Sequence, residues 1–163
     1  MKLVRKSYSR ITASRDKENI FIFTDNLDRT SGQGKIPDDS SYSKRFGKTG
    51  LCYPSVTSAV LRGLENAFPI TTQKGYKKGA NPSKYNWTDD DFEEFKKVID
   101  DDFEKIKEAC VKYNANTVYF PSTGILNGSI SQITFDRTPI LYNYIIEKEI
   151  ELRDFNVEKT NLD

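Results

Sequence analysis

Two polar loops carry the residues able to do chemistry. One begins at Asp25-Asn26 and continues into Gly32-Gln33-Gly34. The other is Ser122-Thr123-Gly124-Ile125, extended by Asn127-Gly128. Small hydroxylated residues and glycines behind a strand deliver backbone N–H groups and hydroxyls to one point, and phosphates and ribose hydroxyls are bound that way. Gly32 and Gly34 permit positive φ and close approach of backbone to a ligand. The expectation is that the two loops face each other across one nucleotide-type site. Each also has a plain structural reading: Asp25-Asn26 as an Asx turn, and Ser122 to Gly128 as an ordinary strand-to-helix turn.

What the chain lacks narrows the chemistry further. It has no histidine and two cysteines, Cys52 and Cys110. A Ser-His-Asp or Cys-His device is therefore excluded, and zinc has no good ligand set, so no metal and no cofactor is expected. Any catalysis falls to carboxylates, Asn, Tyr, Lys or backbone groups. The net charge of +1 over 163 residues argues against a nucleic-acid partner, and no run reaches membrane-spanning length. The basic start, Met1 to Lys6, lacks the apolar core of a signal peptide, and two cysteines make no disulfide framework. A cytoplasmic setting is expected, with residues 1–163 as one domain and a core over about 20–153.

Both loops need strands behind them. Ile20-Phe21-Ile22-Phe23 is a continuous apolar run of the kind that forms a central strand covered on both faces. Thr117-Val118-Tyr119-Phe120 leads into the second loop in the same way. Residues 2–12 alternate loosely and suggest an edge strand, followed by a polar turn over 14–19. Residues 66–71 suggest another strand, which Pro69 confines to an edge or a bulge. Residues 35–49 and 73–86 read as long polar loops, with Lys44, Arg45, Lys48, Lys74 and Lys84 available to cover an anion. The apolar positions Val56, Ala59, Val60 and Leu64 suggest a short helix. Residues 88–113 form the clearest helix: Phe92, Phe95, Ile99, Phe103, Ile106, Cys110 and Tyr113 make one apolar stripe. Thr88 is its expected N-cap and Asn114 its expected stop. Thr138-Pro139 opens a last helix over 140–153, with Leu141, Tyr144, Ile145 and Leu152 inward. Trp87 and Cys110 are expected to serve packing only.

At the two loops the chain resembles the macrodomain family. Pro121-Ser122-Thr123-Gly124-Ile125 behind a strand is similar to that family's Ser-Thr-Gly-Ile/Val loop. Asp25-Asn26 behind Ile20–Phe23, with Gly32-x-Gly34 following, is similar to its asparagine and glycine-rich loop. The segments Phe23-Thr24-Asp25-Asn26-Leu27, Gly32-Gln33-Gly34 and Ala67-Phe68-Pro69-Ile70-Thr71-Thr72 also resemble a divergent set of small phage macrodomain-like proteins. The resemblance implies an α/β fold of three layers, with a mixed central sheet flanked by helices, and a site for ADP-ribose or a related NAD-derived or cyclic nucleotide. It implies that Asn26 contacts the distal ribose and that Gly32 and Gly34 line the ribose and diphosphate. The backbone N–H groups of Ser122 to Ile125 would cradle the diphosphate. The nearest match to the family's adenine-reading acid is Asp16. The chain departs from the pattern where Thr24-Asp25-Asn26 stands for an Asn-Ala-Ala-Asn string and where Gln33 and Lys35 interrupt the glycine loop.

Three functions stay open on these grounds. The first is a phage-type accessory protein that sequesters or processes the nucleotide and so evades host defence. The second is an ADP-ribosyl hydrolase on the same site, with Asn26 and Asp25 as its catalytic pair. The third is a non-enzymatic phage protein that binds and modulates a host protein.

Overall fold

The computed structural model describes residues 1–27, 61–74, 86–126 and 132–157. In chain order its elements are β1 (Lys2–Arg5), α1 (Arg10–Arg15), β2 (Ile20–Asn26), β3 (Ala67–Gln73), α2 (Phe92–Lys112), β4 (Thr117–Phe120) and α3 (Pro139–Asp154). The sheet order is β1-β4-β2-β3, and every pairing among the described strands is parallel. The expected α/β architecture is present. The expected mixture of strand directions is not found among the described residues.

Side-chain alternation along β2 sorts the core into two layers. Ile20 and Ile22 pack with Phe95, Ile99, Phe103 and Ile106 of α2 and with Leu141 and Ile145 of α3. Phe21 and Phe23 face the other way, against Ala13 of α1 and Leu61. β2 is buried throughout, which is why its run is apolar on both faces rather than alternating. The connection from β1 to β2 crosses on the α1 face, and that from β3 back to β4 crosses on the α2 face. Opposite directions of travel on opposite faces are what right-handed crossovers require.

The first segment departs from expectation. Only Lys2–Arg5 is strand, and residues from Arg10 form a helix because Ser9 and Thr12 make a capping box. α2 begins after a 3-10 turn, Asp89–Asp91, where the Asp91 carboxylate accepts from the Thr88 N–H at 2.9 Å. It ends as expected at Asn114, whose φ is +49°. The N–H groups of Asn114 and Ala115 bond the carbonyls of Val111 and Cys110, which closes a Schellman motif. Cys110 is buried, and burial pushes its thiol up to about 11. At α3, Thr138 precedes Pro139 but makes no side-chain cap. The Asp89 carboxylate reaches across instead and accepts from the Leu141 N–H at 3.3 Å.

β3 is an edge strand among the described residues, and its exposed side is closed by two side chains. The Asp102 carboxylate of α2 accepts the Thr71 N–H at 2.8 Å, and the Trp87 indole N–H donates to the Thr71 carbonyl at 3.0 Å. Trp87 is thus the expected packing anchor, with Phe95 edge-on at 5.5 Å. Asp102 interrupts the apolar face of α2 and is only 4% exposed, and the strand N–H is one of the contacts that make an acid tolerable there. Asp102→Leu strands that N–H and is expected to lower unfolding stability by about 1–3 kcal/mol, while Asp102→Asn, which keeps an acceptor, costs clearly less. Equal urea midpoints for the two variants would contradict this role.

Candidate functional site

Four parallel strands place four carboxyl ends along one rim. Arg5, Phe120, Asn26 and Gln73 end β1, β4, β2 and β3 in that spatial order. The chain leaves β1 toward the α1 face, where α1 follows. It leaves β4 toward α3, on the opposite face. Neighbouring strands such as β1 and β4, whose chains leave toward opposite faces, open a crevice between their ends, and ligands of open α/β sheets bind in such crevices. The loop after β4 is the Ser122–Ile125 segment, and the end of β2 is Asp25-Asn26. The turn after β4 therefore stands at a switch point beside Arg5, and Asp25-Asn26 end the neighbouring strand β2 on the same rim.

The rim is also where the sheet changes character. β2 passes from Ile20–Phe23 to Thr24-Asp25-Asn26, and β3 passes from Ala67–Ile70 to Thr71-Thr72. All five of these polar residues stay buried, at 5% exposure or less. Polar side chains cost free energy in a core, so a buried polar cluster confined to one end of a sheet marks a place shaped for something other than packing.

Asp25 faces the α1 layer and meets Arg62 there. Arg62 donates Nε to Oδ2 at 2.8 Å and Nη2 to Oδ1, a bidentate pair in which both side chains are fully buried. Asp25 Oδ1 also accepts the Asn26 N–H at 2.9 Å. The carboxylate thus holds the backbone at the step between Asp25 and Asn26, where the β2–β3 register shifts. Such a carboxylate has its lone pairs engaged and a permanent cation against it, which suits a positioning group better than a proton acceptor. Asn26 is 1% exposed and ends the strand, with Leu27 N–H bonded to the Gln73 carbonyl at 2.8 Å.

Beside it on the rim, at the end of β4, Pro121 to Gly124 form a tight turn. The Gly124 N–H donates to the Pro121 carbonyl at 2.7 Å, and Gly124 has φ +74°, a value that favours glycine. The Gly124 N–H is therefore used by the turn itself and is not one of the groups offered to a ligand. Ser122 and Thr123 are exposed, and Ile125 is 1% exposed. The N–H groups of these three residues have no hydrogen-bond partner among the described residues. For Ile125 that is an uncommon state for a buried donor.

Several expectations resolve differently. Gly32, Gly34, Asn127 and Gly128 lie outside the described residues, as do Cys52, Lys44, Arg45, Lys48 and Lys84. Asp16 caps the end of α1 and accepts from the Asn19 carboxamide at 2.9 Å. It precedes β2 and so sits at the amino end of the sheet, away from the rim, which removes it as an adenine reader. Lys74 follows β3 onto the rim but pairs with Asp91 at 2.7 Å. Burial raises the Asp91 carboxyl, and the hydrogen bonds from Lys74 and Thr88 outweigh it, leaving the group below its ordinary value. Among the described residues no group of three or more His, Cys, Asp or Glu could hold a metal ion.

Two arginines belong to the site that the sequence did not single out. Arg62 has no local signal: it lies 37 positions from its partner. Arg5 ends β1, and its guanidinium lies over Gly124, so that a Cβ added there would be 3.1 Å from Cζ.

Residues 3–148 match a family of unknown function (DUF7831). No curated protein and no solved structure matches the chain.

Proposed function

We propose that this chain, which belongs to the DUF7831 family, binds ADP-ribose or a related NAD-derived or cyclic nucleotide at the carboxyl rim of its sheet and holds it without cleaving it. The observation that carries the reading is the buried polar end of β2 beside a turn whose Ser122, Thr123 and Ile125 N–H groups have no partner among the described residues. A turn of that kind suits a diphosphate, and a buried carboxamide such as Asn26 suits a ribose hydroxyl. The three layers and the two rim loops also support a macrodomain-like reading of the fold, which forms part of the proposal.

The state of Asp25 favours holding over cutting. A hydrolase needs a group free to accept a proton from water at the reacting carbon, and Asp25 is instead bound bidentately to Arg62. A phage accessory protein that only retains such a nucleotide would withdraw it from host signalling.

Calorimetry with ADP-ribose and a panel of NAD-derived and cyclic nucleotides tests this. At least one member is expected to bind in the micromolar range and to be recovered intact. Asn26→Ala is expected to weaken it about tenfold, the worth of roughly one hydrogen bond. Absence of binding by every member at millimolar concentration would overturn the reading, and steady turnover of a bound member would move it to the hydrolase.

A further inference from the structure

We propose that Arg5 fixes the charge of the ligand: its guanidinium and the unpartnered N–H groups of the Ser122–Ile125 turn form one subsite for a diphosphate. This rests on the nucleotide reading above and names the part of the ligand that the β4 side of the crevice takes.

Placement supports it first. Arg5 pairs with Phe120 in the β1–β4 register, and the next N–H, of Lys6, bonds the Phe120 carbonyl at 3.0 Å. Arg5 is therefore anchored at the point where the turn leaves β4. Its Cζ, Nε and Nη2 all lie within 3.1–3.2 Å of where a Gly124 Cβ would be. The absence of a side chain at Gly124 is what lets the guanidinium settle on the turn. A planar guanidinium seated by one face keeps its N–H edge for a bidentate anion, which a lysine cannot match.

Charge supports it second. Among the described residues Arg5 makes no salt bridge, in contrast to Lys74 and Arg62 on the same rim. The opposing charge it does feel is Glu149 of α3. Burial raises that carboxyl above its ordinary value, and Arg5 draws it partly back. A single half-buried carboxylate offsets the arginine without occupying its fork. The buried Ile125 N–H beside it adds a donor that no described residue meets. A cation and unmet donors around one turn are the requirements of an oxyanion pair rather than of a neutral group.

The test uses inorganic pyrophosphate and ADP-ribose, each titrated into the full chain while the amide resonances of Ser122, Thr123 and Ile125 are followed. Both probes are expected to shift these resonances in the wild type. Arg5→Gln is expected to weaken both at least tenfold with an unchanged unfolding midpoint, since Arg5 is exposed. Arg5→Lys should lose less, and Glu149→Gln should tighten both several-fold by removing the opposing charge. A merely structural Arg5 would change the midpoint and leave the affinities alone. If Arg5→Gln binds ADP-ribose as the wild type does, the inference fails and the nucleotide reading stands. If pyrophosphate binds through Arg5 while no nucleotide binds, the nucleotide reading fails and the anion subsite stands. If neither probe moves the turn in the wild type, both are overturned.

Discussion

Replacing Arg62 by Leu is expected to destabilise the protein by about 3–5 kcal/mol, a large part of what holds a domain of this size folded. Arg62 is 0% exposed, and so is the Asp25 side chain it grips. Removing the cation leaves a carboxylate in the interior without its bidentate partner, although the Asn26 N–H still donates to it. The cost is that of an uncompensated buried charge rather than of the pair itself. For the same reason the double variant Asp25→Leu/Arg62→Leu should recover much of the loss, because well-packed apolar groups substitute for a buried pair at little cost. Arg62→Lys should fall between, since an ammonium cannot reproduce the two parallel N–H···O bonds. Urea unfolding midpoints of the four proteins decide this. A single Arg62→Leu variant as stable as the wild type would mean that the pair does not hold the rim. The loss should also reach the site: without Arg62, Asp25 no longer fixes the step at which Asn26 leaves the strand register.

Gly124→Glu is expected to abolish nucleotide binding, by about a hundredfold or more, while leaving the protein folded. The residue has φ +74°, where a side chain is strained by roughly 1 kcal/mol. Its Cβ would lie 3.1 Å from the Arg5 Cζ, so either the guanidinium moves or the new carboxylate bonds to it. In both cases the anion that the turn would otherwise receive is excluded: by geometry in the first, by a tethered competitor in the second. The partial gain from a new Glu–Arg pair offsets the backbone strain, so the thermal midpoint should fall only slightly. Calorimetry with ADP-ribose, run beside a melting curve, separates the two effects. Unimpaired binding by a folded Gly124→Glu protein would place the ligand elsewhere and favour a surface that contacts another protein.

Much of the frame was legible without coordinates. Ile20–Phe23 read as a strand covered on both faces, because no alternation of polar residues offers it to water. The stripe from Phe92 to Cys110 repeats at three- and four-residue steps and could only be a helix packed on one side. Asn114 stopped that helix because asparagine tolerates the left-handed backbone a Schellman motif needs. Asp25, Asn26 and Ser122 to Ile125 stood out because their local chemistry, small and polar behind an apolar run, is a property of adjacent residues. Other readings failed where a local signal was outbid from a distance. Thr138-Pro139 looked like a complete helix start, yet the donor it should have met is taken by Asp89 from another element. Residues 10–15 read as strand or turn, and a capping box made them a helix. Asp16 matched by order along the chain but sits at the wrong end of the sheet.

The sequence by itself determined which residues could be core, which segments could be strand or helix, and which two loops carry small polar residues behind a strand, because periodicity and turn preference act between near neighbours. Only the tertiary structure decided that the strands run parallel and that their ends share one rim. It also decided that Asp25 is bound by Arg62 rather than poised to react, and that Arg5 rests on Gly124. Those facts depend on pairing between residues far apart in the chain, and such pairing is set by how the layers close over the sheet.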